Sequence, residues 1–328
     1  MGYFWLRVSY RFLWFSITIG RNSILCVDEM EQTREITMQT SHSEYLKLET
    51  VYLKSVRNGF VSDKVLAEQW QELNYISKPK FDECISEYEK FETLLLNNYT
   101  EVKHFPKDSN TKIDSIYCRD ASIATDFGMI ICSMGKEGRR LEPEAQHRIF
   151  KANDIPVLGT IKAPGTLEGG DVAWLDKNTL AVGHTYRTNS SGIAQLKELL
   201  APYKIEVVVA ELPHYKGATD VFHLMSILSP VDKDLAVIYS PLMPISFRNE
   251  LLHRGFSFVE VPEHEFKSMG CNVLAVAPRQ CIMVAGNPYT ENALRSEGCT
   301  VFTYEGKEIS NKGGGGPTCL TRPIHRKD

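Results

Sequence analysis

From about residue 115 the chain repeats one pattern: two apolar strand-like runs around a short polar turn, then a helical stretch, then a further strand. ASIATDFGMIICSM is followed by PEAQHRIFKAND and IPVLGTI, and VAWLDKNTLAVG by SGIAQLKELLAPY and IEVVVAEL. SILSPVDKDLAVIYSP leads to SFRNELLHRG and FSFVEVP, and NVLAVAPRQCIMVAG to YTENALRSEG and CTVFTYE. The turns centre near Phe127, Lys177, Lys233 and Arg279, at spacings of 50, 56 and 46 residues. An earlier unit reads LETVYLKS, then FDECISEYEKFETLLLNN with apolar residues at helical spacing, then EVKHF. Each unit leaves apolar surface that only its neighbours can cover, so five of them predict a closed ring. The expected fold is α/β, a five-bladed αβ-propeller of hairpin-helix-strand repeats with pseudo-fivefold symmetry. A doubly wound sheet also alternates strands and helices, but LDKN and VDKD join strands through only a few residues, as parallel βαβ units cannot.

Local signals agree with this division. Pro143 suits a first helical turn, Ser246 and Thr290 are expected N-caps, and Gly255 and Gly298 stand where helices should stop. Residues 41–328 are expected to form a single catalytic domain. Residues 1–40 form an atypical N-terminal segment expected to be poorly ordered; its first 27 residues are aromatic-rich, carry Arg7, Arg11 and Arg21, and contain no acid. The longest uncharged apolar run there, FLWFSITI, is far short of the ~20 residues a bilayer requires. An Arg-containing, acid-free leader is also compatible with organelle targeting.

Composition narrows the partners. With 43% hydrophobic and 24% charged residues and a net charge of -4, the chain lacks the basic footprint of a nucleic-acid binder. Its 8 cysteines contain no CxxC and no dense framework, which argues against zinc knuckles and secreted disulfide scaffolds and for a reducing, cytoplasmic setting. A small molecule is the expected partner, with no nucleic acid and no membrane; nothing in the sequence specifies an oligomer.

Reactive residues recur just before each hairpin. Asp120 lies 7 residues before Phe127, Glu168 lies 9 before Lys177, His223 lies 10 before Lys233, and Cys271 and Asn272 lie 8 and 7 before Arg279. In a closed ring equal phase means equal radius, so these side chains should meet near the axis. Singly, the acids of DSIYCRD (Asp114, Asp120) and TLEGGD (Glu168, Asp171) read as ordinary turn residues. Converging, they make a cation site, and a planar guanidinium suits paired carboxylates. His223 lies in the apolar stretch DVFHLMSIL, where most histidines are satisfied core groups, yet it is the one histidine at the shared phase and can serve as acid and base. His184, at a strand end, is a candidate supporting group. No ligands occur at short helical or knuckle spacing, so neither metal nor cofactor is expected.

Near the C-terminus, GGGGPTC leads four glycines into Cys319. Glycines let backbone N–H groups approach closely and so favour a reactive thiol. A phosphate loop fails on order, because Lys312 precedes the glycines and Pro317 follows them. Cys271 shares the repeat phase, so spacing alone leaves two candidate nucleophiles.

These motifs together resemble the guanidino-group-modifying superfamily of five-bladed αβ-propellers, the pentein fold, which holds arginine deiminases, dimethylarginine dimethylaminohydrolases and amidinotransferases. The resemblance spans about residues 42 to 325. It implies Asp120 as the guanidinium-binding carboxylate with Asp114 nearby, Glu168 beside the catalytic His223, and Cys319, rather than Cys271, as nucleophile. GRRLE and YRTN resemble the family's Arg-Arg and Arg-Thr-Asn elements, implying that Arg140, less directly Arg139, and Arg187 hold a substrate α-carboxylate; Asn272 joins the substrate-binding set. Deiminases and amidinotransferases, as the resemblance has them, place Asp two residues after the histidine. Here Met225 stands there, as in the dimethylarginine hydrolases, which also lack that Asp, although Arg119-Asp120 is more deiminase-like.

The resulting expectation is a cofactor-free hydrolase of arginine or an N-substituted, dimethylarginine-like substrate. Cys319 attacks the guanidino carbon while Asp120 and Glu168 hold the cation; a covalent thiouronium forms, and His223 serves as acid and then base until an amine and citrulline are released. An arginine deiminase or amidinotransferase is the alternative within the superfamily, and a non-enzymatic pentein binding protein the alternative outside it.

Overall fold

The computed structural model describes residues 39–328. The chain begins with β1 (Gln39–Thr40) and β2 (Lys47–Leu53), then α1 (Phe81–Asn97) and β3 (Glu101–His104). Four units of identical order follow. They are β4 (Ser122–Ile123), β5 (Met129–Ile131), α2 (Glu142–Ala152) and β6 (Val157–Thr160); then β7 (Val172–Asp176), β8 (Thr179–His184), α3 (Ser190–Leu200) and β9 (Glu206–Glu211). Next come β10 (Leu228–Asp232), β11 (Leu235–Ile238), α4 (Ile245–His253) and β12 (Ser257–Glu260), then β13 (Leu274–Ala277), β14 (Gln280–Val284), α5 (Pro288–Ser296) and β15 (Thr300–Tyr304). β16 (Thr321–Lys327) ends the chain.

Each of the four units makes its own three-stranded sheet, an antiparallel hairpin extended by a parallel strand after the helix. The turns fall at the polar tetrads: Asp176 pairs with Thr179 across Lys177, and Asp232 with Leu235 across Lys233. Arg279 holds its own turn in the left-handed region at φ +58°.

The fifth sheet, in the order β1-β16-β2-β3, is assembled from both ends of the chain. β16 runs antiparallel to β2, from Thr321 opposite Leu53 to Lys327 opposite Lys47, and supplies the hairpin partner that the first unit lacks locally. Gln39 and Thr40 pair with Lys327 and Arg326, and the Thr40 hydroxyl reaches the Asp126 carboxylate at 3.0 Å. The β16 edge thus takes up Gln39 and Thr40, two residues ahead of the expected domain. The expectation for the preceding segment lies outside the described residues.

The helices bury one stripe each. On α1, Cys84, Tyr88, Phe91 and Leu95 recur at steps of three and four and are buried. β8 is buried on both faces, with Leu180 and Val182 packing beside Trp174 and α3, and Ala181 facing the neighbouring unit's Val237 cluster. Gly255 at φ +88° and Gly298 at φ +80° end α4 and α5 as left-handed stops, and Pro143 sits in the first turn of α2. Ser246 and Thr290 are not the N-caps: Pro244 and Asn287 occupy those positions. Instead the first turn of α5 is satisfied from outside by buried Glu265, whose Oε2 accepts the Thr290 N–H and hydroxyl at 2.8 and 2.6 Å. No described helix is long and apolar enough to cross a membrane.

Candidate active site

A cavity of about 250 Å³ is lined by Asp114, Tyr117, Asp120, Lys136, Arg139, Arg187, Phe222, His223, Met225, Asn272 and the segment from Asn311 through Gly315 to Cys319. The side chains expected at equal phase therefore do meet. They come from the entry points of four hairpins and from the return of the chain towards β16.

Asp120, ahead of β4, is buried; its Oδ2 forms a tight ion pair with Arg139 Nη1 at 2.5 Å, while its Oδ1 has no hydrogen-bond partner. His223 Nδ1 lies 4.0 Å from that free oxygen. On the other side of the ring, His223 Nε2 meets Glu168 Oε2 at 2.8 Å. An ionised carboxylate only accepts, which assigns the Nε2 proton to this bond and leaves Nδ1 facing Asp120. Glu168 is fully buried, receives the Lys136 N–H on Oε1 at 3.0 Å, and lies 3.6 Å from Arg187 Nη1. It is thus engaged with His223 and does not line the cavity, so it is not placed to share a bound cation with Asp120 as expected.

Burial alone would depress the His223 pKa, but the negative charges of Asp171 and Asp120 and the bond to Glu168 outweigh it and raise it. For Glu168 burial pushes up, while the His223 bond and the charges of His223, Arg187 and Arg139 pull the carboxyl well below the usual range. The two shifts are one interaction: each partner holds the other charged.

Cys319 is delivered by the glycine run. A Cβ on Gly313 or Gly315 would overlap the Tyr117 side chain, and one on Gly316 the Asn272 amide. Gly314 alone has positive φ, at +79°. The run thus serves close approach at three positions and backbone freedom at one. Asn272 then holds the Cys319 segment: its Oδ1 accepts the Thr318 N–H and hydroxyl at 3.0 and 2.8 Å, and its Nδ2 donates to Cys319 Sγ at 3.4 Å. Burial, and next the Asp120 charge, push the Cys319 thiol up to about 11 against the pull of the Asn272 and Thr318 hydrogen bonds and Arg119. Cys271 lies in the apolar core with its sulfur near the Val237 carbonyl, and burial pushes its thiol far up.

The remaining expected residues divide. Asp114 faces the cavity, paired with Lys136 Nζ at 2.6 Å. Arg187 is buried with its Nε and Nη1 unpartnered and its Nη2 on the Asp220 carbonyl at 3.3 Å. Arg139 reaches the cavity but is consumed by Asp120, Glu142 and the Tyr117 carbonyl. Arg140 is not brought to the site: it is exposed and paired with Glu137. Successive residues of a tight turn point to different sides, so turning Arg139 inward turns Arg140 outward. His184 is likewise away from the site, at 2.6 Å from Glu211 on the surface.

Three contributors escaped sequence reasoning. Lys136 ties Asp114, the Leu73 carbonyl and Glu168 together, but a lysine after a strand carries no signal of its own. Thr318 acts only through Asn272. Asp171, noticed as an acid without a role, accepts the Leu224 N–H at 3.0 Å and the Thr185 hydroxyl at 2.7 Å, and Thr185 Oγ1 in turn receives the Arg187 N–H at 3.0 Å. Asp120, Glu168 and His223 each place a donor atom within 4.8 Å of the others. Arg139 and Arg187 already neutralise these carboxylates, which disfavours a metal dication there.

A family model described as N,N dimethylarginine dimethylhydrolase, eukaryotic, matches residues 64–326. The chain belongs to this family. It is therefore a member of the pentein superfamily and a hydrolase acting on the carbon–nitrogen bonds of amidines. Among curated relatives, arginine deiminase 1 of Staphylococcus epidermidis is 23% identical over 363 aligned positions, covering 92% of this chain and 87% of the relative. Among solved structures, a Pseudomonas aeruginosa DDAH in complex with citrulline superposes with a TM-score of 0.70 at 21% identity, over 85% of this chain and 99% of the other. A saxitoxin-pathway amidinotransferase from Microseira wollei gives a TM-score of 0.73 at 15% identity, over 88% and 97%.

Proposed function

We propose that this family member hydrolyses an N-substituted arginine of the dimethylarginine type, releasing the substituted amine and citrulline. The observation that carries the reading is the buried Oδ1 of Asp120, which has no hydrogen-bond partner among the described residues and lies 4.0 Å from His223 Nδ1, in a residue that lines the same cavity as Cys319. A buried acceptor left open costs free energy until a donor fills it, and a guanidinium N–H is the fitting donor. Met225 lines the cavity two residues after His223, giving an apolar wall for N-methyl groups where a carboxylate would favour bare nitrogens. Arg187, whose Nε and Nη1 make no hydrogen bond among the described residues although Nη1 lies 3.6 Å from Glu168, suits the α-carboxylate.

In the free site the thiol holds its proton, since its pKa is pushed up to about 11. A guanidinium docked on Asp120 cancels the second cause of that rise, after burial, and adds a cation beside the sulfur, so substrate itself promotes loss of the thiol proton to solvent. Cys319 Sγ then bonds to the guanidino carbon. His223 gives its Nδ1 proton to the departing amine, a covalent thiouronium remains, and the neutral imidazole takes a proton from the water that replaces sulfur. The five like sheets, with β16 joining the two ends of the chain, support the reading of the domain as a closed five-bladed ring with this site at its axis.

The test is a panel of arginine and its N-methylated forms, with products identified by mass spectrometry. Methylamines and citrulline from the methylated substrates are expected. Ammonia from arginine alone would instead establish the deiminase reading that the curated relatives favour, and transfer to an added amine an amidinotransferase. Full turnover by Cys319→Ser would overturn the mechanism.

A further inference from the structure

Behind the site, Arg119, Arg322 and Arg326 are buried to 2%, 5% and 1% exposure, and among the described residues Glu44, at 6%, is the one carboxylate paired with them. Glu44 Oε1 accepts from Arg119 Nη2 at 2.7 Å and from the Trp174 N–H at 3.2 Å. Arg326 Nη1 donates to the carbonyls of Leu46 and Ala275, so it meets the same 44–46 segment that Arg119 does. Arg322 is spent on backbone carbonyls of Arg119, Ser122 and Pro323. Asp120, the neighbour of Arg119, is already paired with Arg139.

Among the described residues, three guanidinium groups against one carboxylate leave a surplus of positive charge in the interior. Among the described residues, four of these guanidinium nitrogens are buried without a hydrogen-bond partner: Nε and Nη1 of Arg119, and Nε and Nη2 of Arg326. Deprotonation offers no relief at neutral pH, because burial and the repulsion of Arg119 lower the Arg322 pKa only to about 10. Water can satisfy N–H groups but not the charge, and an uncompensated buried charge is strongly destabilising. Near-complete burial of both side chains restricts any counter-ion to a very small one.

We propose that Arg119 and Arg326 together hold a small monovalent anion of the chloride type in the interior of the fold. The ion lies against the back of the catalytic machinery, since the Arg119 N–H donates to the Cys319 carbonyl at 3.2 Å and Arg119 immediately precedes Asp120. Its task is to let the chain place three arginines behind the nucleophile without an unpaired charge. This inference is independent of which guanidino compound is the substrate.

The experiment uses the full chain crystallised with bromide in place of chloride, with anomalous data collected at the bromine edge. A bromine peak in contact with Arg119 and Arg326 is expected. In parallel, bromide or chloride titrated against sulfate at fixed ionic strength should raise the melting temperature of the wild type by about 2–4 °C. Arg326→Met should abolish that halide-specific rise. Water or the second oxygen of Glu44 at those nitrogens, without a bromine peak, overturns the proposal, and so does a melting temperature equal in halide and sulfate. The wild-type map decides the matter even if Arg326→Met fails to fold.

Discussion

His223 and Glu168, 55 residues apart in sequence, meet at 2.8 Å with both side chains buried. With the charges of Asp171 and Asp120, and against burial, this bond keeps the imidazole protonated to higher pH, so the acid proposed at His223 loses its proton only as pH rises through a raised pKa. Glu168→Gln removes that support. The alkaline limb of the kcat profile should then move to lower pH by about one unit or more, and kcat should fall on the order of a hundredfold. An unmoved alkaline limb in the variant would show that Glu168 does not set the His223 proton.

On the proposed reading, Met225, which lines the cavity, sets which nitrogen substituents fit. Met225→Asp places a second carboxylate near the guanidinium, favouring bare over methylated nitrogens. The ratio of kcat/KM for arginine over dimethylarginine should rise at least about tenfold. Steady-state kinetics with both substrates measure it, and a constant ratio would remove Met225 from the specificity argument.

Asn272 is expected to tune the nucleophile. Its Nδ2 stabilises the thiolate more than the thiol, so Asn272→Ala raises a pKa that already stands at about 11. Iodoacetamide alkylation of Cys319 in the free enzyme at pH 9 should slow by about tenfold, followed by peptide mass spectrometry. Unchanged alkylation would mean that the 3.4 Å contact carries no weight.

Neighbouring arginines give opposite outcomes. Arg139→Ala strands two buried carboxylates, Asp120 and Glu142, and should cost about 3–5 kcal/mol in urea unfolding. Arg140→Ala, at an exposed ion pair, should stay within about 0.5 kcal/mol and leave KM unchanged. A raised KM for Arg140→Ala would restore the carboxylate-binding role that the sequence suggested for it.

Much of the fold was legible because each unit is local: hairpin, helix and parallel strand follow within about fifty residues, and the polar tetrads LDKN and VDKD mark the turns. The pairing of β16 with β2 was not legible, since 268 positions separate Thr321 from Leu53 and no local pattern records so distant a partner. The caps of α4 and α5 were misplaced for a similar reason. Ser246 and Thr290 look like caps in isolation, yet a remote carboxylate, Glu265, satisfies the start of α5.

The sequence by itself determined the unit, its repetition, and the phase at which Asp120, Glu168, His223 and Asn272 precede their hairpins. It also marked Cys319 by the glycines ahead of it. Only the tertiary structure decided which groups remain free to act. Glu168 is consumed by His223, Arg139 by Asp120 and Glu142, and one oxygen of Asp120 stays open. Spacing fixes where a side chain starts, but its availability depends on every charge and hydrogen-bond partner that packing brings to it, and those partners come from all parts of the chain.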